Sequence, residues 1–166
     1  MSTKWNFKKD YSFKDKNFSR IYRFYVIETP VSGTSYRGKT FKERKCNMKK
    51  LNSLMKKETI FLKENWHVLA IKEIEKFCKE IGLLDVVKYD SEIVIHSKND
   101  KLCTGNTDSL YYAIRCSFAH GSFDIRKYNS EKYYILENKD GGKIKARLIL
   151  KETTLLKWID LVEQSK

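Results

Sequence analysis

The fold class this sequence predicts is mainly α-helical, with one small antiparallel β-hairpin near the C-terminus. Three observations lead there. Over residues 65–84, Ile71, Ile74, Phe77, Cys78 and Ile81 recur at helical spacing as one apolar stripe, while Lys72, Glu75, Lys76, Lys79 and Glu80 take the wet side. A second helix is expected to start with Thr107 or Asn106 as cap and Asp108 in its first turn, and to stop at Gly121. The run Lys139-Asp140-Gly141-Gly142 has strong turn chemistry and joins residues 133–138 to 143–150 as a hairpin.

The other elements follow in chain order. The first seventeen residues interleave Trp5, Phe7, Tyr11 and Phe13 with Lys4, Lys8, Lys9, Lys14 and Lys16. Such an arm either stacks bases beside phosphates or packs on the core through its aromatics, and the second reading is preferred. Residues 18–27 are apolar and aromatic and fit a core helix or a buried strand equally. Pro30, Gly33 and Gly38 mark an exposed loop. Residues 47–63 read as a basic helix with Met48, Leu51, Leu54, Met55 and Phe61 on its apolar side, followed by a short β-branched strand at 91–97 and a loop at 98–106. In the hairpin, Ile144, Ala146, Leu148 and Leu150 alternate with Lys145, Arg147, Ile149 and Lys151, which predicts one wet face. Thr153 or Thr154 caps a closing helix carrying Leu155, Leu156, Trp158, Ile159 and Val162. The sum is four or five helices plus the hairpin.

Length and composition set the frame. A chain of 166 residues, 41% hydrophobic with one Pro and seven Gly, predicts one domain over 1–166 that hides roughly 70% of its unfolded surface. Disordered and low-complexity classes are excluded. No apolar run approaches the ~18 residues of a membrane span, and residues 1–9 lack an apolar signal core. A cytoplasmic protein with no membrane partner is therefore expected. Cys46, Cys78, Cys103 and Cys116 lack zinc-site spacing, and His67, His96 and His120 are scattered. Reduced, mostly buried thiols and no metal or other cofactor are the expectation.

Charge is the first positive signal. The formal net charge is +13, and it is uneven. Residues 1–63 hold 17 basic and 5 acidic side chains, and the rest hold 17 and 16. A polyanion such as nucleic acid suits that field, because each Lys or Arg on a phosphate releases counterions. The alternative is a solvated, lysine-rich surface.

The segment that carries chemistry is Arg115-Cys116-Ser117-Phe118-Ala119-His120-Gly121. A guanidinium offers a fork of donors to a phosphate, and an imidazole takes and returns a proton near neutral pH. RNA brings its own nucleophile, the 2′-hydroxyl, so one base and one phosphate clamp suffice for cleavage without a metal. Other polar groups carry less. Glu73, Glu75 and Glu80 match a solvated helix face, His67 and His96 lack ligand partners, and Asp140-Gly141-Gly142 is a turn. Arg115 pairing with Asp108 or Asp124, with His120 merely closing a helix, is the structural alternative.

That segment resembles the Arg-x4–6-His motif of the HEPN domains, helical-bundle domains that include metal-independent endoribonucleases of prokaryotic toxin–antitoxin, abortive-infection and CRISPR systems. The resemblance extends over residues 105–165, where a hairpin and a short helix follow the motif helix. It implies a HEPN-like helical bundle, a homodimer with both motifs lining one composite site, and Arg115 and His120 as the catalytic pair. Cleavage would leave a 2′,3′-cyclic phosphate and a 5′-hydroxyl. Lys39, Lys42, Arg44, Lys45, Lys49 and Lys50, in the basic first part, would then hold the RNA backbone. An antitoxin or defence-system partner protein would complete the setting. Two positions depart from the pattern. Cys116 stands where the family often has a polar residue, and Ser122 where some members carry a modified Tyr. An inactive RNA- or DNA-binding module, or a protein-interaction domain, is the rival reading.

Overall fold

A five-stranded mixed sheet, not a helical bundle, organises the chain. The computed structural model describes residues 2–5, 7, 11–34, 37–58, 63–88, 90–98 and 105–165. Strand β1 (Ser2–Lys4) precedes α1 (Lys16–Tyr22), which runs into a π-helical turn, Arg23–Ile27. Then come α2 (Met48–Glu58), β2 (Trp66–Val68), α3 (Ile71–Glu80), β3 (Val86–Lys88) and β4 (Ile93–His96). The last part is α4 (Asn106–Ala119), β5 (Phe123–Tyr128), β6 (Glu131–Asp140), β7 (Lys143–Lys151) and α5 (Glu152–Gln164). The sheet order is β2-β4-β7-β6-β5, with β2 parallel to β4 and the other pairs antiparallel. Strands β1 and β3 form a separate antiparallel pair.

The mainly helical expectation fails because the sheet is covered on both faces, which hides the period-two pattern of its strands. One face, carrying Val94, Tyr134, Leu136, Leu148 and Leu150, packs with the core residues Tyr25, Tyr111, Phe118 and Trp158 of the α1–α4–α5 layer. On the other face, Ile74 and Cys78 of α3 cover Ile95 and Ile144. Trp5 and Phe7 of the N-terminal arm cover Tyr133, Ile135 and Ile149.

The hairpin face expected to be wet is dry only in its middle: Arg147 and Ile149 are buried, while Lys145 and Lys151 keep about a third of their side-chain surface exposed. Arg147 lies in it at 3% exposure, and its charge is fully engaged. Its Nε donates to Glu137 at 2.8 Å, and its Nη1 donates to the Leu83 and Leu84 carbonyls. The Trp5 ring lies 3.9 Å above the guanidinium, and the Trp5 Nε1 donates to Leu83 O at 3.0 Å. A buried charge is tolerable only with such pairing. The aromatics of the arm thus pack on the protein, with Tyr11 against Phe18 and Phe123, while Phe13 is 57% exposed. Lys8 and Lys9 lie outside the described residues.

Local chemistry sets the element boundaries. Residues 18–27 are helical, started by the Asp15 carboxylate, which accepts from the Phe18 N–H at 3.0 Å. Helix α3 begins at Ile71 rather than 65, because Trp66–Val68 extends the sheet as β2. Helix α5 begins two residues before Thr154, and the Glu92 carboxylate accepts from the Lys151 N–H and the Thr154 hydroxyl at its start. The hairpin turn is as expected, with Gly141 and Gly142 both at positive φ. Asn129 and Ser130 adopt the same left-handed pair between β5 and β6, a turn that no glycine announces. Phe61 of the expected basic helix and Cys103 lie outside the described residues.

Candidate functional site

Helix α4 is sunk in the α layer, and one narrow stripe of it reaches solvent. Leu110, Tyr111, Ala113, Ile114, Cys116, Ser117 and Phe118 are buried. Asp108, Tyr112, Arg115 and Ala119, at steps of four, three and four, make the accessible stripe. Small polar residues permit such deep burial because they satisfy themselves. The Ser117 hydroxyl donates to Ala113 O at 2.9 Å, and that of Ser109 to Gly105 O at 3.0 Å. Cys116 belongs to the buried side, so its thiol packs in the core instead of lining the stripe.

The C-terminal end of α4 is closed by paired backbone bonds. The Gly121 N–H donates to Phe118 O at 3.1 Å and the Ser122 N–H to Ser117 O at 2.9 Å, with Gly121 at φ +68°. Gly121 is the stop the sequence predicts, whereas the start moves to Gly105, which provides no side-chain cap. His120 takes the cap position between them. Its N–H donates to Cys116 O at 3.0 Å and its side chain is exposed. Ser122 leads directly into β5, and its carbonyl accepts from the Glu137 N–H at 3.0 Å. The histidine is thus held between a buried helix and a paired strand.

Arg115 is half-buried on the accessible stripe. Its Nε is shielded from solvent and has no hydrogen-bond partner among the described residues. Among those residues it forms no ion pair either. Asp124 is committed elsewhere, to Arg126 at 2.8 Å and to the Ile125 N–H at 2.9 Å. Asp108 sits seven residues back, about 10 Å along the helix axis. Arg115 and His120 are about 7.5 Å apart along that axis and about 140° apart around it. No hydrogen bond joins them, and the small, exposed Ala119 lies between.

The basic residues expected to hold RNA gather at the other end of α4. Lys39, Lys42 and Lys45 are exposed in the segment before α2, and Lys49 and Lys50 are exposed in its first turn. Arg44 is half-exposed and donates its Nε to Lys39 O at 2.9 Å. Lys49 and Lys50 diverge. Lys49 borders a cleft with Lys56 and the start of α4, and Lys50 borders a groove with Leu54 and Leu161. The Asn52 side-chain amide donates to the Thr107 hydroxyl at 3.0 Å and ties α2 to that end. With 14 residues, α4 is about 21 Å long, so Lys49 stands near its start while Arg115 and His120 stand at its end. Sequence reasoning missed Lys56 and Trp66 in the cleft. Lys49, Asn52 and Lys56 follow helical spacing, but no local pattern announces the strand that brings Trp66 to them.

The remaining titratable groups serve packing. Burial lowers the pKa of His96 to about 4, and its Nδ1 lies 3.1 Å from Ser97 O. Burial also lowers that of His67, which packs on Phe77 at 4.7 Å, and raises that of the Cys78 thiol. Cys46, Cys78 and Cys116 are free thiols. Among the described residues no helix is long and apolar enough to cross a membrane.

Comparison with known protein families, curated proteins and solved structures finds no match to this chain. The functional reading therefore rests on the site itself.

Proposed function

We propose that this protein is an endoribonuclease that cleaves RNA without a metal, using Arg115 and His120. One observation carries the reading. Arg115 presents a guanidinium on the accessible stripe of a buried helix, with no anion of its own among the described residues, and the same helix ends in an exposed histidine. A cation held in that way is completed by an anion from outside, and a phosphodiester suits its fork of donors.

The chemistry balances with these two groups and the substrate. His120 takes the proton of the 2′-hydroxyl as the 2′ oxygen bonds to the adjacent phosphorus. The bond from phosphorus to the 5′ oxygen breaks, and that oxygen leaves with a proton returned by an imidazolium. Arg115 binds the non-bridging oxygens and offsets the charge that builds on them. The products are a 2′,3′-cyclic phosphate and a 5′-hydroxyl.

The resemblance of the motif to HEPN ribonucleases supports the same reading and adds a second copy of the chain. Two motifs facing across a two-fold axis would let one imidazole accept the proton and the other deliver it. Lys39, Lys42, Lys45, Lys49 and Lys50 would hold the strand by counterion release. A cytoplasmic role in prokaryotic defence or growth arrest, beside an antitoxin or other partner, goes with that resemblance. The helical bundle that the resemblance also implies is overturned by the five-stranded sheet.

The deciding experiment incubates the full chain with labelled RNA in EDTA, beside Arg115→Ala and His120→Ala. Cutting that persists in EDTA and is lost in both variants is expected. Salt-sensitive binding with no cutting would replace the enzyme with a binding module. Light scattering at micromolar concentration is expected to show a dimer, and a strict monomer would remove the composite site.

A further inference from the structure

An aromatic corner stands open to solvent near the last turn of α4. Phe13 is 57% exposed, more than any other large apolar side chain among the described residues. Its ring meets that of half-buried Tyr22 at 89°, with centres 5.2 Å apart. The core holds both rings from behind. Phe13 packs on the buried Phe18 ring at 5.1 Å, and Tyr22 on the buried Phe118 ring at 6.1 Å. Arg20 of α1 reaches Asp160 and Glu163 of α5, and Tyr22, about 200° further round α1, turns away from α5 onto Phe118. Phe118 lies three residues after Arg115 and two before His120. Phe123, just past the helix stop, carries the Tyr11 ring at 4.8 Å, and that ring is 6.1 Å from Phe13. The two phenylalanines that bracket His120 in the chain are thus the rings on which this cluster is built.

Charge supplies an independent observation. Lys14 and Lys16 follow Phe13, both exposed and neither in an ion pair among the described residues. The acidic residue between them is turned inward. Asp15 accepts from the Phe18 N–H at 3.0 Å and from the Lys132 Nζ at 2.6 Å, so the start of α1 and strand β6 engage its charge. An open ring flanked by two free cations suits a polymer that alternates flat rings with anions, which is single-stranded nucleic acid.

We propose that Phe13 and Tyr22 form a stacking step for a base of single-stranded RNA, with Lys14 and Lys16 on its backbone phosphates, and that this step lays the strand across the end of α4. The stacking rests on this surface alone. That the strand is RNA, and that a neighbouring phosphate meets Arg115, rests on the ribonuclease reading. The two rings are positioning residues, since neither touches the reacting atoms. A base held beside the scissile bond restrains the adjoining ribose, so its 2′-hydroxyl is presented in one geometry instead of many. Every base has a π-face, so the step is tolerant of sequence. The packing expected for the aromatics of the arm holds for Trp5 and Tyr11, and Phe13 is the one left facing outward.

The test titrates the full chain with a short 2′-O-methyl oligoribonucleotide that carries 2-aminopurine and has no free nucleophile. The emission of that base falls when it stacks, and the titration at two salt concentrations gives Kd and its salt slope. Phe13→Ala is expected to remove the quenching and to weaken binding about fivefold or more, with the salt slope unchanged because the ring carries no charge. The unfolding midpoint should stay in place, since Phe13 is exposed. Phe13→Tyr, which keeps a ring, is expected to restore both signals. Lys14→Ala/Lys16→Ala should do the reverse, lowering the slope by about 1.4 while the saturated complex stays quenched. Wild-type affinity and quenching in Phe13→Ala overturn the step, and so does a salt slope that falls with the ring. Loss of the wild-type oligomer in Phe13→Ala by light scattering also overturns it, by making the corner a contact between copies. The oligonucleotide cannot be cut, so ring-dependent binding in a protein that never cleaves RNA sinks the ribonuclease reading and leaves the step standing. Cleavage with unaltered kcat and KM in Phe13→Ala sinks the step alone.

Discussion

The Asn52 side chain donates to the Thr107 hydroxyl at 3.0 Å, and that bond joins the basic helix α2 to the first turn of the helix that ends in Arg115 and His120. Charge concentrated in one part of the sequence is thereby coupled to a motif more than fifty residues away. A polyanion held at α2 would lie at one end of α4, with Arg115 and His120 at the other.

The catalytic assignment predicts unequal losses. His120→Ala is expected to lower the cleavage rate by about 10²–10⁴, the usual contribution of a positioned acid or base. Arg115→Ala is expected to cost about 10²–10³, as for removal of one donor to a developing oxyanion. Because His120 is exposed, its loss should move stability by no more than about 0.5 kcal/mol. Gel assays of cleavage rate alongside urea denaturation give both numbers.

Gly121 governs how the histidine is presented. It sits at φ +68°, and a Cβ there would meet nothing within 4 Å. The cost of Gly121→Ala is therefore backbone strain, about 1–2 kcal/mol, with no steric part. Gly121→Asn should cost less, since Asn enters the left-handed region more readily. Urea midpoints for the two variants check the order, and a reversed order would place the strain elsewhere.

Two arginines test how burial sets the worth of an ion pair. Arg20 pairs with Asp160 at 2.6 Å, but both side chains are nearly half exposed, so Arg20→Ala should cost at most about 1 kcal/mol. Arg147 is enclosed under Trp5, and Glu137→Gln strips its counter-charge in a dry environment, which should cost about 3–5 kcal/mol. Chemical denaturation of both variants measures the contrast.

His96 makes folding sensitive to acid. Its pKa falls to about 4 in the folded state because burial penalises the charged ring, and the charge of Lys56 lowers it further. Unfolded, the ring titrates near its ordinary 6.5. Between those values the unfolded chain binds more protons, so stability rises with pH across this window and is lost as pH falls through it. From pH 7.5 to 5 the loss due to His96 is about 2 kcal/mol. Glu92, which accepts from Lys151 and Thr154 at the start of α5, is a carboxyl that burial raises, and it contributes the opposite slope. Comparing wild type with His96→Phe across pH 5–7.5 isolates the histidine, and a variant that keeps the full slope would assign it elsewhere.

Strong local chemistry is legible in the sequence. The Gly141-Gly142 turn, the Gly121 stop and the stripe of Ile74 and Cys78 each follow from backbone freedom or 3.6-residue spacing. Three features are not legible there. Strands β2 and β3 are three residues long, too short to show a period. The β5–β6 turn uses Asn129 and Ser130 where glycine would have signalled it. Arg147 reads as wet because its neighbours in sequence alternate, yet its surroundings come from residues 5, 83, 84 and 137.

By itself the sequence determined which residue types could act: a guanidinium and an imidazole five apart, a glycine to end the helix behind them, and an excess of cations in the first 63 residues. Those are local properties, decided by covalent chemistry and by dihedral preference. Only the tertiary structure decided that a second layer covers the sheet, that Arg115 has no carboxylate paired with it among the described residues, and that Trp66 closes a cleft with Lys49 and Lys56. Whether a charge is paired or a face is dry depends on segments far apart in the chain, and those meet only when the apolar surfaces between them are buried together.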